Sequence, residues 1–180
     1  DRADIYVEME DYVNALKDYN KAIDLNPIEG NYLKRAEMYV RFENYKKAGK
    51  EFSFLIKKFP EYSNTYYSRA HMYNKQEMYG EEKKDLLSAI EIDNLDPQAY
   101  YYLAKYYQRT DEYFKVIHNF KKTILKLSDE NGYYISKIDS NDRVELEDVH
   151  IELGNIYKNL EELDLMCEEY KEACELGECE

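Results

Sequence analysis

A period near 34 residues constrains this chain more than any other feature, because a missed repeat miscasts the whole fold. Small residues recur at Ala3, Ala36, Ala70, Ala104 and Gly154, at steps of 33, 34, 34 and 50. A tyrosine follows each by three residues, at Tyr6, Tyr39, Tyr73, Tyr107 and Tyr157. Six residues further on stand Tyr12, Tyr45, Tyr79, Tyr113 and Leu163. Two more columns follow: Tyr19, Phe52, Leu86, Phe120 and Tyr170, then Ala22, Leu55, Ala89, Thr123 and Ala173. Pro27 and Pro60 close the first two repeats.

Each repeat divides into two amphipathic helices. In the second, Tyr32, Arg35, Ala36 and Tyr39 share one helix face, and Tyr45, Ala48, Phe52 and Leu55 share another. The small residue lets the two backbones approach, and the aromatic rings fill the space around it. The chain holds only 6 glycines and 3 prolines, too little turn chemistry for a many-stranded sandwich. The fold class is therefore all-α. The spacing predicts helices over 1–8, 11–25, 30–41, 44–58, 64–75, 78–92, 98–109, 112–128, 142–158 and 161–176. One such pair cannot bury its apolar face alone, so neighbouring pairs must stack.

These columns resemble the tetratricopeptide repeat family across nearly the whole chain. The resemblance implies a right-handed superhelical solenoid of antiparallel helix pairs forming one array over residues 1–180. Its parts are repeat 1 over 1–27 with a truncated first helix, repeat 2 over 28–61, repeat 3 over 62–95, repeat 4 over 96–128, an insert over 129–141, and repeat 5 with the C-terminal end over 142–180. The sequence departs from the family pattern in places. The early aromatic is Tyr32, Tyr66 and Tyr100 rather than Trp, and His150 in the last repeat. Glu82 and Val116 stand where the family favours Ala, and Pro97 comes three residues late.

The truncated first helix and the start at Asp1-Arg2-Ala3 lead us to expect a fragment of a larger protein. The insert carries Tyr133, Tyr134, Ile135 and Ile138 and is expected to fold back on a neighbouring helix. Asp142 followed by Glu145 has the form of a capping box that starts the next helix. No polar capping helix follows repeat 5, which leaves self-association through the array ends as an alternative role. A further alternative is an accessory domain of a parent protein whose activity lies elsewhere.

Catalytic constellations are absent from the sequence. It has no G-x-G-x-x-G, Walker-type loop, G-x-S-x-G or HExxH, so we expect no enzyme, no cofactor and no metal. A calcium loop starting at Asp139 would need glycine at Val144 and glutamate at His150. Cys167, Cys174 and Cys179 match no zinc spacing, and we read the first two as small hydrophobes on a helix in a reducing, cytoplasmic setting. A net charge of −13 argues against nucleic acid and anionic lipid as partners. No apolar run is long enough for membrane insertion.

In tetratricopeptide arrays the outer face of the first helices lines a peptide groove, and the resemblance implies the same here. In repeats 2–4 that face holds Lys34, Arg41, Tyr67, His71, Asn74, Lys75, Tyr101, Tyr102, Lys105, Gln108 and Arg109. Across the whole face of these three helices, five basic residues stand against one acid, Glu37. A positive, tyrosine-rich stripe in an acidic protein suits an acidic or carboxylate-bearing peptide of a protein partner. The Lys/Asn pattern with which co-chaperone members of the family hold chaperone tails is absent, because those positions read Leu33, Glu37, Tyr67, His71, Gln98 and Tyr102.

Overall fold

The computed structural model describes residues 2–128 and 145–176. The insert at 129–141, and with it Tyr133, Tyr134, Ile135 and Ile138, lies outside the described residues. The chain divides into two compact units, Asp1–Ile92 and Asp93–Glu180.

The first unit holds α1 (Arg2–Glu8), α2 (Tyr12–Leu25), α3 (Glu29–Arg41), α4 (Tyr45–Lys58), α5 (Ser63–Lys75) and α6 (Tyr79–Ile92). The second holds α7 (Pro97–Arg109), α8 (Tyr113–Leu127), α9 (Leu146–Asn159) and α10 (Leu163–Leu176). Helices pair in chain order, α1 with α2 through to α9 with α10, and in each unit a second helix also packs on the next first helix. Among the described residues the ends lie within two residues of those the periodicity predicts. The exception is α9. It starts at Leu146 with Glu145 as its N-cap, four residues after the predicted start, and Asp142 of the expected capping box lies outside the described residues.

Local chemistry explains the helix starts. The Asp11 carboxylate accepts from Asn14 N–H at 3.1 Å, and the Asn44 side chain accepts from Lys47 N–H at 3.3 Å. Asp96 caps α7 in the same way, accepting from Gln98 N–H at 2.9 Å with Pro97 in the first helical position. The late Pro97 thus opens a helix instead of closing one, where the missing N–H costs nothing.

Every first helix whose end is described stops by one device. The N–H of Asp11, Asn44, Met78, Glu112 and Glu162 returns to the carbonyl of Tyr6, Tyr39, Tyr73, Tyr107 and Tyr157 at 2.7–3.1 Å. The residue before each donor has positive φ: Glu10, Glu43, Glu77, Asp111 and Glu161, at 56–61°. This is the Schellman stop, with an acid at the left-handed position that glycine usually fills. The recurring tyrosine therefore packs the helix pair and also supplies the carbonyl that ends its helix.

The core follows the repeat columns. Ala36, Ala70 and Ala104 are buried at the helix crossings, and Phe52, Leu86 and Phe120 fill the adjoining column. Leu33 and Val40, the neighbours of Lys34 and Arg41 in α3, are buried as well. The reason is geometric: α3 is covered by its partner α4 and also by α1, whose Ala3 and Val7 join the same cluster. The cysteine reading also needs correction. Cys167 is an exposed free thiol, and Cys174 is exposed and disulfide-bonded; α10 buries only Ala173.

Candidate peptide-binding faces

In the first unit the candidate residues lie on α3 and α5. Lys34 Nζ sits 3.1 Å from Asp4 of α1, with both side chains about one-quarter to one-third exposed. Arg41 forks onto Glu8 of α1 at 2.6 and 3.2 Å. That contact holds the Glu8 carboxyl below its usual range, through the hydrogen bond first and the charge second. On α5, the Ser68 hydroxyl donates to Glu37 of α3 at 2.7 Å. The Asn74 amide donates to the buried Glu82 of α6 at 3.3 Å, so its inward side supports a second helix. Tyr67 is half-buried, and His71 and Lys75 are exposed one turn apart on α5.

In the second unit the candidates lie on α7. Lys105 Nζ sits 2.7 Å from Glu152 of α9, and the Gln108 amide donates to the other oxygen of Glu152 at 3.3 Å. Tyr101 and Tyr102 meet edge to face at 5.7 Å, and the Tyr101 ring also lies 5.8 Å from Phe120. Burial, with Glu152 and Asp148 adding to it, pushes the Tyr101 hydroxyl above its usual range. The Arg109 guanidinium lies over Tyr106, 5.9 Å from the ring centre.

A register rule runs through these contacts. The residue two before the recurring tyrosine bonds the residue five before it in the next repeat. Asp4–Lys34, Glu37–Ser68 and Lys105–Glu152 all obey it. Repeats 2–4 taken alone show five cations against one acid; Asp4 and Glu8 on α1 and Glu152 on α9 neutralise three of the five there. The signal was present as opposite charges in fixed columns of adjoining repeats, and needed only the neighbour relation of successive first helices to be read.

A second set of pairs fixes each first helix of the first unit to its partner. Arg2–Asp18, Arg35–Glu51 and Arg69–Asp85 join column-matched residues of α1–α2, α3–α4 and α5–α6, each at 2.6 Å. In the second unit the matched positions read Leu103 with Asn119, and Leu153 with Glu169. There Glu169 bonds His150 Nδ1 at 2.7 Å instead. His150 therefore does more than fill the aromatic column.

No helix among the described residues is long and apolar enough to cross a membrane. No curated protein matches the sequence. Solved structures match its fold. MamA does so with TM-score 0.67 at 19% identity, over 97% of this chain and 94% of its own. Pseudomonas aeruginosa PilF gives 0.74 at 15% identity over 99% and 74%, and yeast Tom70 gives 0.72 at 20% over 99% and 35%. At such identities the likeness shows the fold alone, an all-α solenoid of helix pairs. The tetratricopeptide repeat profile matches residues 1–29, 63–94 and 147–176, half of the sequence. The chain belongs to the tetratricopeptide repeat family of helical protein-interaction scaffolds.

Proposed function

We propose that this scaffold is non-enzymatic and takes acidic segments of a partner protein on its first-helix faces, those of α3 and α5 in the first unit and that of α7 in the second. The observation that carries the reading is the exposed turn of α5 that presents the Lys75 ammonium and the His71 imidazole beside the half-buried Tyr67. The ion pairs on α3 and α7 are compatible with it. Lys34–Asp4 and Lys105–Glu152 remain about one-quarter to one-third exposed. Pairs in contact with water contribute about 0–1 kcal/mol, so a ligand carboxylate can replace the internal acid at little cost. Arg109 suits a carboxylate for a different reason, since its planar fork grips both oxygens.

The test is fluorescence anisotropy with a library of labelled acidic peptides, against the parent protein, Lys75→Glu and the double variant Lys105→Glu/Arg109→Glu. Each charge-assisted hydrogen bond contributes about 1.5–3 kcal/mol, so reversal should weaken binding about tenfold or more. Raising the salt should weaken parent binding as well. Equal affinity in all three proteins, or binding indifferent to salt, would sink the reading.

A second reading rests on α10, which exposes Leu165 and Leu176 on one helix face. Self-association through that face predicts a light-scattering mass that rises with concentration. A Leu165→Lys variant should hold it constant.

A further inference from the structure

Away from the first-helix faces, the first unit holds three aromatic rings around one ammonium. Lys58 Nζ lies 5.2 Å from the Tyr32 ring centre, 5.4 Å from Phe54 and 5.0 Å from Phe59. The rings come from three places that the fold brings together. Tyr32 lies on α3, Phe54 lies one turn before Lys58 on α4, and Phe59 is the C-cap of α4. Tyr32 and Phe54 pack at 5.1 Å and 49°, making one corner of the enclosure. Tyr62 braces Phe59 from outside, edge-on at 6.0 Å and 77°. Phe54 is 42% exposed and Lys58 is also exposed, so the enclosure opens to water.

Three ring faces within about 6 Å of one cation form the arrangement that holds alkylammonium groups. Lys58 is a poor occupant for such a box. A primary ammonium is strongly hydrated and wants three hydrogen-bond acceptors, whereas ring faces offer a quadrupole and apolar surface. A methylated ammonium carries the same charge with weaker hydration, and its methyl groups bury against the rings. We propose that Tyr32, Phe54 and Phe59 form an aromatic cage for a methylated ammonium, that of a methylated lysine on a partner protein, with the Lys58 side chain as its internal plug. Lys58 reaches the cage from an exposed helix position and can swing into water, so displacement requires no rearrangement of the core.

The site is tested by NMR titration of the aromatic resonances of the full chain. The probes are tetramethylammonium chloride, choline, and a short peptide carrying trimethyllysine or unmodified lysine. The proteins are the parent, Lys58→Ala, and Lys58→Ala with Phe54→Leu, which keeps apolar bulk and removes one ring face. The trimethyllysine peptide should shift the Tyr32, Phe54 and Phe59 signals. It should bind about two- to fivefold more tightly to Lys58→Ala, which lacks the competing ammonium. Restoring a smaller wall with Phe54→Leu should lose that gain. Binding of choline and tetramethylammonium without the peptide would keep the cage and overturn the methylated-lysine source. Equal response to unmodified lysine, or no shift at these rings in Lys58→Ala, would overturn the proposal.

Discussion

Arg69 and Asp85 form a two-pronged pair between α5 and α6, with Nε–Oδ2 at 2.6 Å and Nη2–Oδ1 at 2.7 Å. The Asp85 side chain is 5% exposed and that of Arg69 19%, so the clasp sits almost out of water. Burial works to lower the Arg69 pKa, but the hydrogen bond and charge of Asp85 overcome it and hold the guanidinium above its usual value. Removing one member leaves the other charge buried without its partner, at a cost of about 3–5 kcal/mol. Urea denaturation of Asp85→Asn and Arg69→Met should each show a loss of that order. The double variant Arg69→Met/Asp85→Asn should recover most of it, because the second unit carries an apolar residue and an amide, Leu103 and Asn119, at the matching positions. A double variant as unstable as the singles would mean that the pair does more than compensate itself.

The left-handed acids give a second prediction. Glu77 holds φ 57° in the stop of α5, with its N–H on the Asn74 carbonyl at 2.9 Å. A residue with a Cβ is strained there by about 1–2 kcal/mol, while glycine is not. Glycine loses more freedom on folding, which offsets part of the gain. Glu77→Gly should therefore stabilise the chain by about 1 kcal/mol, and Glu77→Val should destabilise it. Thermal melts of both variants decide this, and an unchanged or lower melting point for Glu77→Gly would show that the acid itself contributes.

The repeat columns made the helices legible, because small and aromatic residues at fixed steps leave one way to pair two helices. Ala36 beside Tyr39 marks such a crossing as clearly in the sequence as in the structure. Charge was less legible. Lys34 and Lys105 are ordinary lysines in one dimension, and become members of ion pairs only when Asp4 and Glu152 arrive from helices about 30 and 47 residues away. The cage at Lys58 was invisible for the same reason. Phe54 and Phe59 flank the lysine in sequence, but Tyr32 completes the enclosure from another helix. The left-handed stops were hidden because the acids there do not carry the glycine that usually marks them.

Glu29 gives a pH prediction. It opens α3, is nearly buried, and accepts from the Thr65 hydroxyl at 3.5 Å. Burial raises its pKa above the usual carboxylate value, and hydrogen bonds from Asn64 and Thr65 only partly oppose that rise. A carboxyl whose folded pKa lies above its unfolded one favours folding while protonated. Its contribution is full below the unfolded value, about 4.3, and falls as pH rises through the folded value. Glu29→Gln keeps the acceptor and removes the charge. The variant should be more stable than the parent at pH 7, and the gap should narrow as pH drops toward 4. A gap independent of pH would show that the carboxylate carries no burial penalty.

Gly154 is the one member of the small-residue column that is not alanine, and Tyr170 explains it. A Cβ at Gly154 would lie 2.6 Å from Tyr170 Cε1 and 2.7 Å from Cδ1, closer than carbon atoms approach. The ring cannot simply turn aside, because its hydroxyl donates to Asn155 Oδ1 at 2.9 Å. Gly154→Ala should therefore force the α9–α10 pair apart, at a cost of about 1–3 kcal/mol. The alanine is itself the better helix former by about 1 kcal/mol, so the measured loss should fall in the lower part of that range. The diagnostic variant is Gly154→Ala/Tyr170→Leu, which copies the Ala70 and Leu86 combination of the third repeat. It should recover stability relative to Gly154→Ala in urea denaturation, whereas Tyr170→Leu alone should lose it by opening a cavity over Gly154. If Tyr170→Leu harms the two backgrounds equally, the glycine and the tyrosine are independent, and close approach is not why glycine stands at residue 154.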